Sequence, residues 1–257
     1  MKLTNKITTL ATAAGLALAA GTASAAISFT FAGPITERDG SQTLALAGDS
    51  SDMIVVMVSG EHGFNNTSGQ ANGVTYNGIA MTEVVDRDPL VNGSDIEFAS
   101  MFILAGGDIA AGDGSGVVTD VVNRGAVSAY AVTGVSGVVQ SGFGAAGDVS
   151  TTINTAAGNL VIAGLALGGD GNTGNINSVV GSGDLALDGA ADDPSNWYGH
   201  AAGSDVVDTT GSNTYGFSGA GGAANIIIWA ELQAIPEPST TALLGLGGLA
   251  LIFRRRK

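Results

Sequence analysis

Few residues in this chain have side chains suited to base or nucleophilic chemistry. There are two histidines, His62 and His200, and no cysteine. Neither a Gly-x-Ser-x-Gly nucleophile elbow nor a His-Glu-x-x-His zinc motif occurs. A Ser-His-Asp triad assembles in space and leaves no sequence pattern, so it stays an alternative. We expect both histidines in loops or at strand ends, and we predict that the protein is not an enzyme.

The carboxylates are more numerous, and glycoside hydrolysis would need two of them facing one cleft. Most acids here stand beside glycines, where an aspartate caps its own turn. Asp192 and Asp193 directly precede Pro194, which is also a turn pattern. The sequence therefore favours a turn role over a paired-carboxylate site. The acids assigned to glycine-rich turns are Asp108, Asp113, Asp170, Asp184 and Asp188.

One glycine-rich stretch, residues 168–175, offers side-chain oxygens of the kind that Ca²⁺ prefers, including the carboxylate of Asp170. It departs from the EF-hand pattern, because Gly174 and Gly181 stand where ligands are required. It also occurs once, which excludes a repeated β-roll. We therefore predict no cofactor and assign no metal site, while bound Ca²⁺ stays an alternative.

A pair of aromatic residues, Trp197 and Tyr198, lies close to Asn196 and His200. Such a pair could stack on a sugar and donate hydrogen bonds to it, which makes both residues candidate ligand contacts. The alternative is that Trp197 packs into the core at the start of a strand. Trp229 stands inside an apolar run and is expected in the core.

Short runs of Val, Ile, Thr, Phe and Tyr recur between clusters of Gly, Asn, Asp and Ser, which predicts an all-β fold. Asn77-Gly78 predicts a hairpin with a type I′ turn. No stretch between the two ends has a convincing helical period, and glycines weaken the Ala-rich residues 105–111. The predicted strands are residues 27–32, 42–47, 53–59, 74–76, 79–85, 97–104, 117–122, 126–132, 138–141, 149–153, 160–167, 178–180, 185–187, 197–201, 213–217 and 225–232.

Two of these runs, residues 53–58 and 226–230, are apolar at consecutive positions, as in strands covered on both faces. We therefore predict an antiparallel β-sandwich, jelly-roll-like, over residues 26–234. The order of its strands loosely resembles a secreted β-sandwich module common on bacterial surfaces. Residues 52–56 also resemble residues 159–163. Duplicated halves and ordinary strand composition both explain that echo.

The charge of residues 26–234 is strongly negative. This region keeps three arginines and no lysine, and of 23 acids in the chain only Glu237 lies outside it, so its net charge is −19. Nucleic-acid binding needs a cationic surface and is therefore not expected. The same charge disfavours anionic lipid and favours solubility. The fold must form without disulfides.

The N-terminal residues follow the pattern of a secretory signal peptide. Two lysines precede an apolar run, residues 7–20, which is expected to be helical. Ala23-Ser24-Ala25 is then an Ala-x-Ala cleavage site, and cleavage after Ala25 leaves Ala26 as the first residue. We therefore predict export, with residues 1–25 removed.

Residues 235–257 contain three parts in a fixed order. Pro236-Glu237-Pro238 resists helix and sheet, because proline fixes φ and removes a backbone donor. An apolar run at residues 242–253 follows, which is shorter than the roughly 20 residues of a permanent spanning helix. The last part is cationic and is expected to stay in the cytoplasm. It consists of Arg254, Arg255, Arg256 and Lys257.

This order closely resembles the PEP-CTERM sorting signal of Gram-negative bacteria. The resemblance implies recognition by exosortase, a membrane transpeptidase-like enzyme, with processing at or near Pro236, Glu237 and Pro238. It further implies transient anchoring in the inner membrane through a short hydrophobic helix, then delivery to the cell surface or extracellular matrix. Proteins sorted in this way are associated with exopolysaccharide, so a structural or adhesive role is expected. A carbohydrate- or Ca²⁺-binding module is the alternative, and a secreted hydrolase the third.

Overall fold

The fold consists almost entirely of antiparallel β-strands, as the sequence predicts. A computed structural model describes residues 25–37, 40–48, 50–62, 73–92, 95–109, 117–121, 124–167, 176, 178–193, 198–218 and 225–236. The first nine strands in these ranges are β1 Ser28–Glu37, β2 Gly40–Leu44, β3 Met53–His62, β4 Val74–Tyr76, β5 Ile79–Ala80, β6 Thr82–Asn92, β7 Asp95–Ala105, β8 Val117–Val121 and β9 Arg124–Thr133. They are followed by β10 Val135–Phe143, β11 Ser150–Thr155, β12 Leu160–Leu167, β13 Ser178–Val180, β14 Ala186–Asp193, β15 Tyr198–Val206, β16 Gly211–Ser218 and β17 Ile226–Ala234.

Four sheets are built from these strands, two in each half of the chain. The first inner sheet has the order β1-β9-β3-β7-β6, and the first outer sheet has the order β2-β8-β4-β5. The second inner sheet has the order β10-β17-β12-β15-β14, and the second outer sheet has the order β11-β16-β13. All of them lie in one compact unit, Ile27–Ala234.

Three hydrophobic cores separate the four sheets, so the sheets lie in four layers. The central core, between the inner sheets, includes Met57 and Ile162. A second core, between the first inner and first outer sheets, includes Val56. A third, between the second inner and second outer sheets, includes Val161 and Trp229. The two inner sheets form the predicted sandwich, and each outer sheet covers one of its exposed faces.

The layering explains the strands that are apolar at consecutive positions. Successive side chains of a strand point to opposite faces. In β3, Met53, Val55 and Met57 enter the central core, while Ile54 and Val56 enter the second core. Every residue of β12 is buried. Burying one such aliphatic side chain stabilises the fold by about 1.5–3 kcal/mol, so strands that bury both faces contribute strongly to its stability.

The two halves repeat one topology. Replacing β1, β9, β3, β7 and β6 by β10, β17, β12, β15 and β14 converts the order of the first inner sheet into that of the second. The outer sheets correspond in the same way, β2-β8-β4 to β11-β16-β13. The sequence echo between residues 52–56 and 159–163 falls at the start of two equivalent strands, β3 and β12. The topology therefore favours duplicated halves over chance composition.

A side-chain hydrogen bond is repeated in the same way. Asp52, directly before β3, accepts a hydrogen bond from the Gly134 N–H at 2.6 Å. Asn159, directly before β12, accepts one from the Ala234 N–H at 3.1 Å. In each half this bond ties the start of a central strand to the end of its neighbour.

Three local predictions have different outcomes. The Asn77-Gly78 turn is confirmed, because both residues have positive φ angles, 50° and 77°, as a type I′ turn requires. The segment 79–85, predicted as one strand, is divided between β5 and β6. Residues Gly106–Ile109 form one helical turn, α1, in the stretch where glycines argued against a helix. The buried Ile109 holds this turn in the second core.

Candidate functional site

The sorting segment begins where the last strand ends. Ala234 closes β17 and is held through its N–H by Asn159. The next residues, Ile235 and Pro236, are exposed. The Ile235 carbonyl accepts a hydrogen bond from the Ala25 N–H at 2.7 Å. Pro236 is therefore accessible, while Glu237, Pro238 and the cationic residues 254–257 lie outside the described residues.

Comparison with family models decides the nature of this segment. Residues 234–257 match the PEP-CTERM protein-sorting motif. The chain carries an exosortase sorting signal. The predicted resemblance is thereby confirmed, and the PEP-CTERM motif indicates a protein that exosortase directs to the cell surface or the extracellular space. No curated protein matches the chain, and no solved structure matches it.

The predicted helices at the two ends, with Ala23, fall outside the described residues, although Ala25 and Ala26 are described. Across the ranges that the structure does describe, we find no helix that combines the length and the apolar character needed to cross a membrane.

The prediction for His200, a loop or a strand end, is wrong. His200 lies inside β15 and is buried in the central core. Its Nδ1 lies 2.6 Å from the Ser59 hydroxyl, and its Nε2 lies 2.9 Å from the Ser128 hydroxyl. The two serines come from β3 and β9, so the imidazole connects the two inner sheets. Burial lowers the pKa of His200 from 6.5 to about 4, because a charged imidazolium is poorly solvated there.

The contact between serine and histidine has the composition of a nucleophile and its base, but it is closed to solvent. Ser59, Ser128 and His200 are each at most 1% exposed. A neutral imidazole offers one donor and one acceptor, which two serine hydroxyls satisfy. The sequence missed this cluster because its members lie on three strands far apart in the chain. His62, in contrast, is the last residue of β3, and nothing is described of its side chain.

The second polar cluster is built around Glu231, which is 1% exposed. It lies on β17 on the same face as Ile227 and Trp229 and closes one end of the third core. Its Oε1 accepts hydrogen bonds from the Ala156 N–H at 2.9 Å and from Asn159 Nδ2 at 2.7 Å. Its Oε2 accepts one from Gln140 Nε2 at 2.6 Å. Three donors thus stabilise a carboxylate in the interior, where an unpaired one would be costly.

Glu231 also lines an open groove of about 530 Å³ between the edges of the second inner and second outer sheets. β10 contributes Val139, which a β-bulge leaves 52% exposed. Thr210, just before β16, accepts a hydrogen bond from the Ala157 N–H at 2.9 Å. The complete lining is Val139, Gln140, Asn154, Thr155, Ala156, Thr210, Gly211 and Glu231.

Several sequence-based assignments of acids to turns are corrected. Asp188 lies in β14 and accepts a hydrogen bond from the Tyr130 hydroxyl at 2.7 Å. Asp108 lies in α1, and Asp192 and Asp193 end β14 rather than forming a turn. Asp188, Asp192 and Asp193 belong to one strand, because the edge strand β14 continues through Gly189. Asp108 belongs to the helical turn.

The residues predicted from the sequence to contact a sugar or a metal ion differ in whether the structure describes them. Trp197, Asp113 and the glycine-rich stretch 168–175, which includes Asp170, lie outside the described residues. Tyr198 begins β15, but its side chain is not described. Trp229 lies in the third core, as predicted. Among the described residues, no cluster of three or more His, Cys, Asp or Glu could hold a metal ion.

Glu231 was not among the site residues predicted from the sequence. One signal was present, since this carboxylate interrupts the apolar strand Ile226–Ala234 at a position that alternation assigns to the interior. A charged residue at such a position is rarely buried without partners. Its partners could not be read from the sequence.

Proposed function

We propose that this protein is a structural or adhesive component of the cell surface or extracellular matrix, associated with exopolysaccharide and without catalytic activity of its own. Its signal peptide directs export, and the apolar residues 242–253 hold it briefly in the inner membrane. Exosortase then acts at or near Pro236-Glu237-Pro238. The match of residues 234–257 to the PEP-CTERM sorting motif carries this proposal.

The described part of the chain supports the proposal in two ways. β17 ends at Ala234, so processing at Pro236 or beyond would leave every strand of the inner sheets intact. Pro236, the first residue of the Pro-Glu-Pro element, is exposed. A sorting enzyme could therefore act on the tail of an already folded domain.

The absence of catalysis is proposed from the histidine cluster. The serine hydroxyls beside His200 are buried in the central core, so no substrate carbonyl could approach them without separating the inner sheets. A base with a pKa near 4 would also be weak.

The experiment is intact-mass and terminal-peptide analysis of protein collected from outside the producing cells. We expect a chain that begins at Ala26 and ends within or close to Pro236-Glu237-Pro238. Replacing these three residues by alanine should retain the protein in the inner-membrane fraction. The exposed neighbour Gln233, changed to alanine, is the matched control and should be exported normally. Extracellular protein that still ends in Lys257 would refute the proposal.

A further inference from the structure

We propose that the groove beside Glu231 is a binding site for a neutral, hydroxyl-rich saccharide. The inference rests on the proposed association with exopolysaccharide, and it names the site and the class of glycan. In this groove a buried carboxylate lines an opening to solvent. Its volume, about 530 Å³, lies in the range of small-ligand sites.

The first half of the chain serves as an internal comparison. The equivalent strands β3 and β12 begin at Met53 and Leu160, which pair with Val132 and Leu232. The residues directly before these partners, Ala131 in β9 and Glu231 in β17, are therefore equivalent. Ala131 is 4% exposed and belongs to the second core. The architecture therefore does not require a carboxylate at this position.

The space equivalent to the groove is filled in the first half. Residues 45–52, between β2 and β3, form a longer connection than the equivalent residues 156–159. Gly48 in the longer connection packs so closely that an added Cβ would lie 3.2 Å from Ala131. The Tyr76 hydroxyl fixes this connection by accepting from the Gly48 N–H and donating to the Leu46 carbonyl. The shorter connection leaves the second half open beside Glu231.

Hydrogen-bonding capacity indicates which ligand the groove suits. A carboxylate has about four acceptor positions, and Glu231 uses three of them. One position on Oε2 can accept from a ligand. The Thr210 hydroxyl accepts from Ala157 and retains its own proton for donation. Sugar hydroxyls both donate and accept, so a saccharide suits a lining that offers an acceptor on Glu231 and a donor on Thr210.

Other ligand classes fit the groove less well. A cation would meet three N–H groups already directed at the carboxylate, and a single carboxylate is a poor set of ligands for Ca²⁺. An acidic saccharide would be repelled by Glu231 and by the net charge of −19 on residues 26–234. The exposed Val139 offers an apolar contact for the C–H face of a sugar ring. Together these features favour a neutral glycan.

The test uses the full chain, purified in mild detergent, on an array of neutral, uronic-acid-containing and sulfated oligosaccharides. The best neutral binder is then titrated by calorimetry, with Ca²⁺ and with EDTA. We expect neutral oligosaccharides to bind in both conditions. Glu231→Gln should weaken binding at least tenfold, because the amide cannot accept from all three donors and the ligand.

Glu231→Gln could also destabilise the domain, so a second pair of variants separates binding from folding. Thr210→Val removes one exposed hydroxyl from the groove and with it the acceptor of the Ala157 N–H, which is exposed and can turn to water. It should weaken binding about fivefold and shift the thermal midpoint by only a few degrees. Thr209→Val changes the adjacent exposed threonine, which does not line the groove, and should bind normally.

Three results would overturn the inference: no binding of neutral glycans, binding that EDTA abolishes, or equal affinities for the two threonine variants. Each leaves the proposed surface location standing, because that location depends on the sorting segment. Conversely, an intact tail outside the cell would refute the location without affecting glycan binding in solution.

Discussion

Lowering the pH should destabilise this domain through His200. Its pKa is about 4 in the folded protein, against 6.5 as its ordinary value. As the pH falls, the unfolded chain binds a proton first, so stability is full above about pH 6.5 and declines down to pH 4. A tenfold change in proton affinity corresponds to about 1.4 kcal/mol, so the complete loss is roughly 3 kcal/mol, and about 2 kcal/mol is lost by pH 5.

The assay is urea unfolding at pH 8, 6 and 5, followed by tryptophan fluorescence, since Trp229 is buried. The control is His200→Asn, whose amide can still donate to one serine and accept from the other but does not titrate. Burial raises the pKa of the Glu83 and Asp205 carboxyls, so protonation of these two groups stabilises the fold as the pH falls. This contribution is the same in the wild type and in the variant. The difference between the two proteins therefore isolates His200.

We expect the variant to be less stable at pH 8, where it lacks the packing of the imidazole, and to approach the wild type as the pH falls. A loss of about 2 kcal/mol is a large part of the 5–15 kcal/mol typical of a folded domain. Parallel dependence of stability on pH in the two proteins would refute the reasoning, because it would mean that the imidazole is as easily protonated in the folded state as in water.

Two further predictions concern the backbone and the contact between the inner sheets. Gly181→Ala should destabilise the fold by roughly 3 kcal/mol or more, because the residue has a φ of +131° and an added Cβ would lie 2.0 Å from the Thr214 carbonyl oxygen. The control is Gly137→Ala, where nothing lies within 4 Å of the added Cβ. Equal urea midpoints for the two variants would contradict the prediction. Tyr130→Phe should lower the free energy of unfolding by about 1–3 kcal/mol, because the Tyr130 hydroxyl donates a hydrogen bond to Asp188. In a double-mutant cycle, Tyr130→Phe and Asp188→Asn should be coupled. Strictly additive losses would exclude this hydrogen bond as a source of stability.

The sequence predicted the elements that depend on local patterns. Residues 53–58 and 226–230 are apolar on both faces, and both become central strands with a core on each side. The Asn77-Gly78 turn follows from the φ angles that these two residues tolerate. The sorting motif was identified in the same way, because its three parts are contiguous.

What could not be predicted depends on contacts between distant residues. Gln140 and Glu231 are 91 positions apart, and Ser59 and His200 are 141 apart. No local pattern records such a pair, so Glu231 was overlooked and His200 was wrongly expected in a loop or at a strand end. The two outer sheets were also not foreseen, because strands such as Val74–Tyr76 and Ser178–Val180 are too short to show on which sheet they pack.

The repeated topology of the inner sheets has a consequence for the ancestry of the fold. One half alone would leave a broad apolar sheet face uncovered, and a second identical copy is the simplest partner for such a face. A half-length chain that assembled as a twofold dimer, later fused into one gene, would produce this arrangement. In such a fused chain the two copies need not stay identical, and one can carry a carboxylate, Glu231, where the other carries an alanine, Ala131.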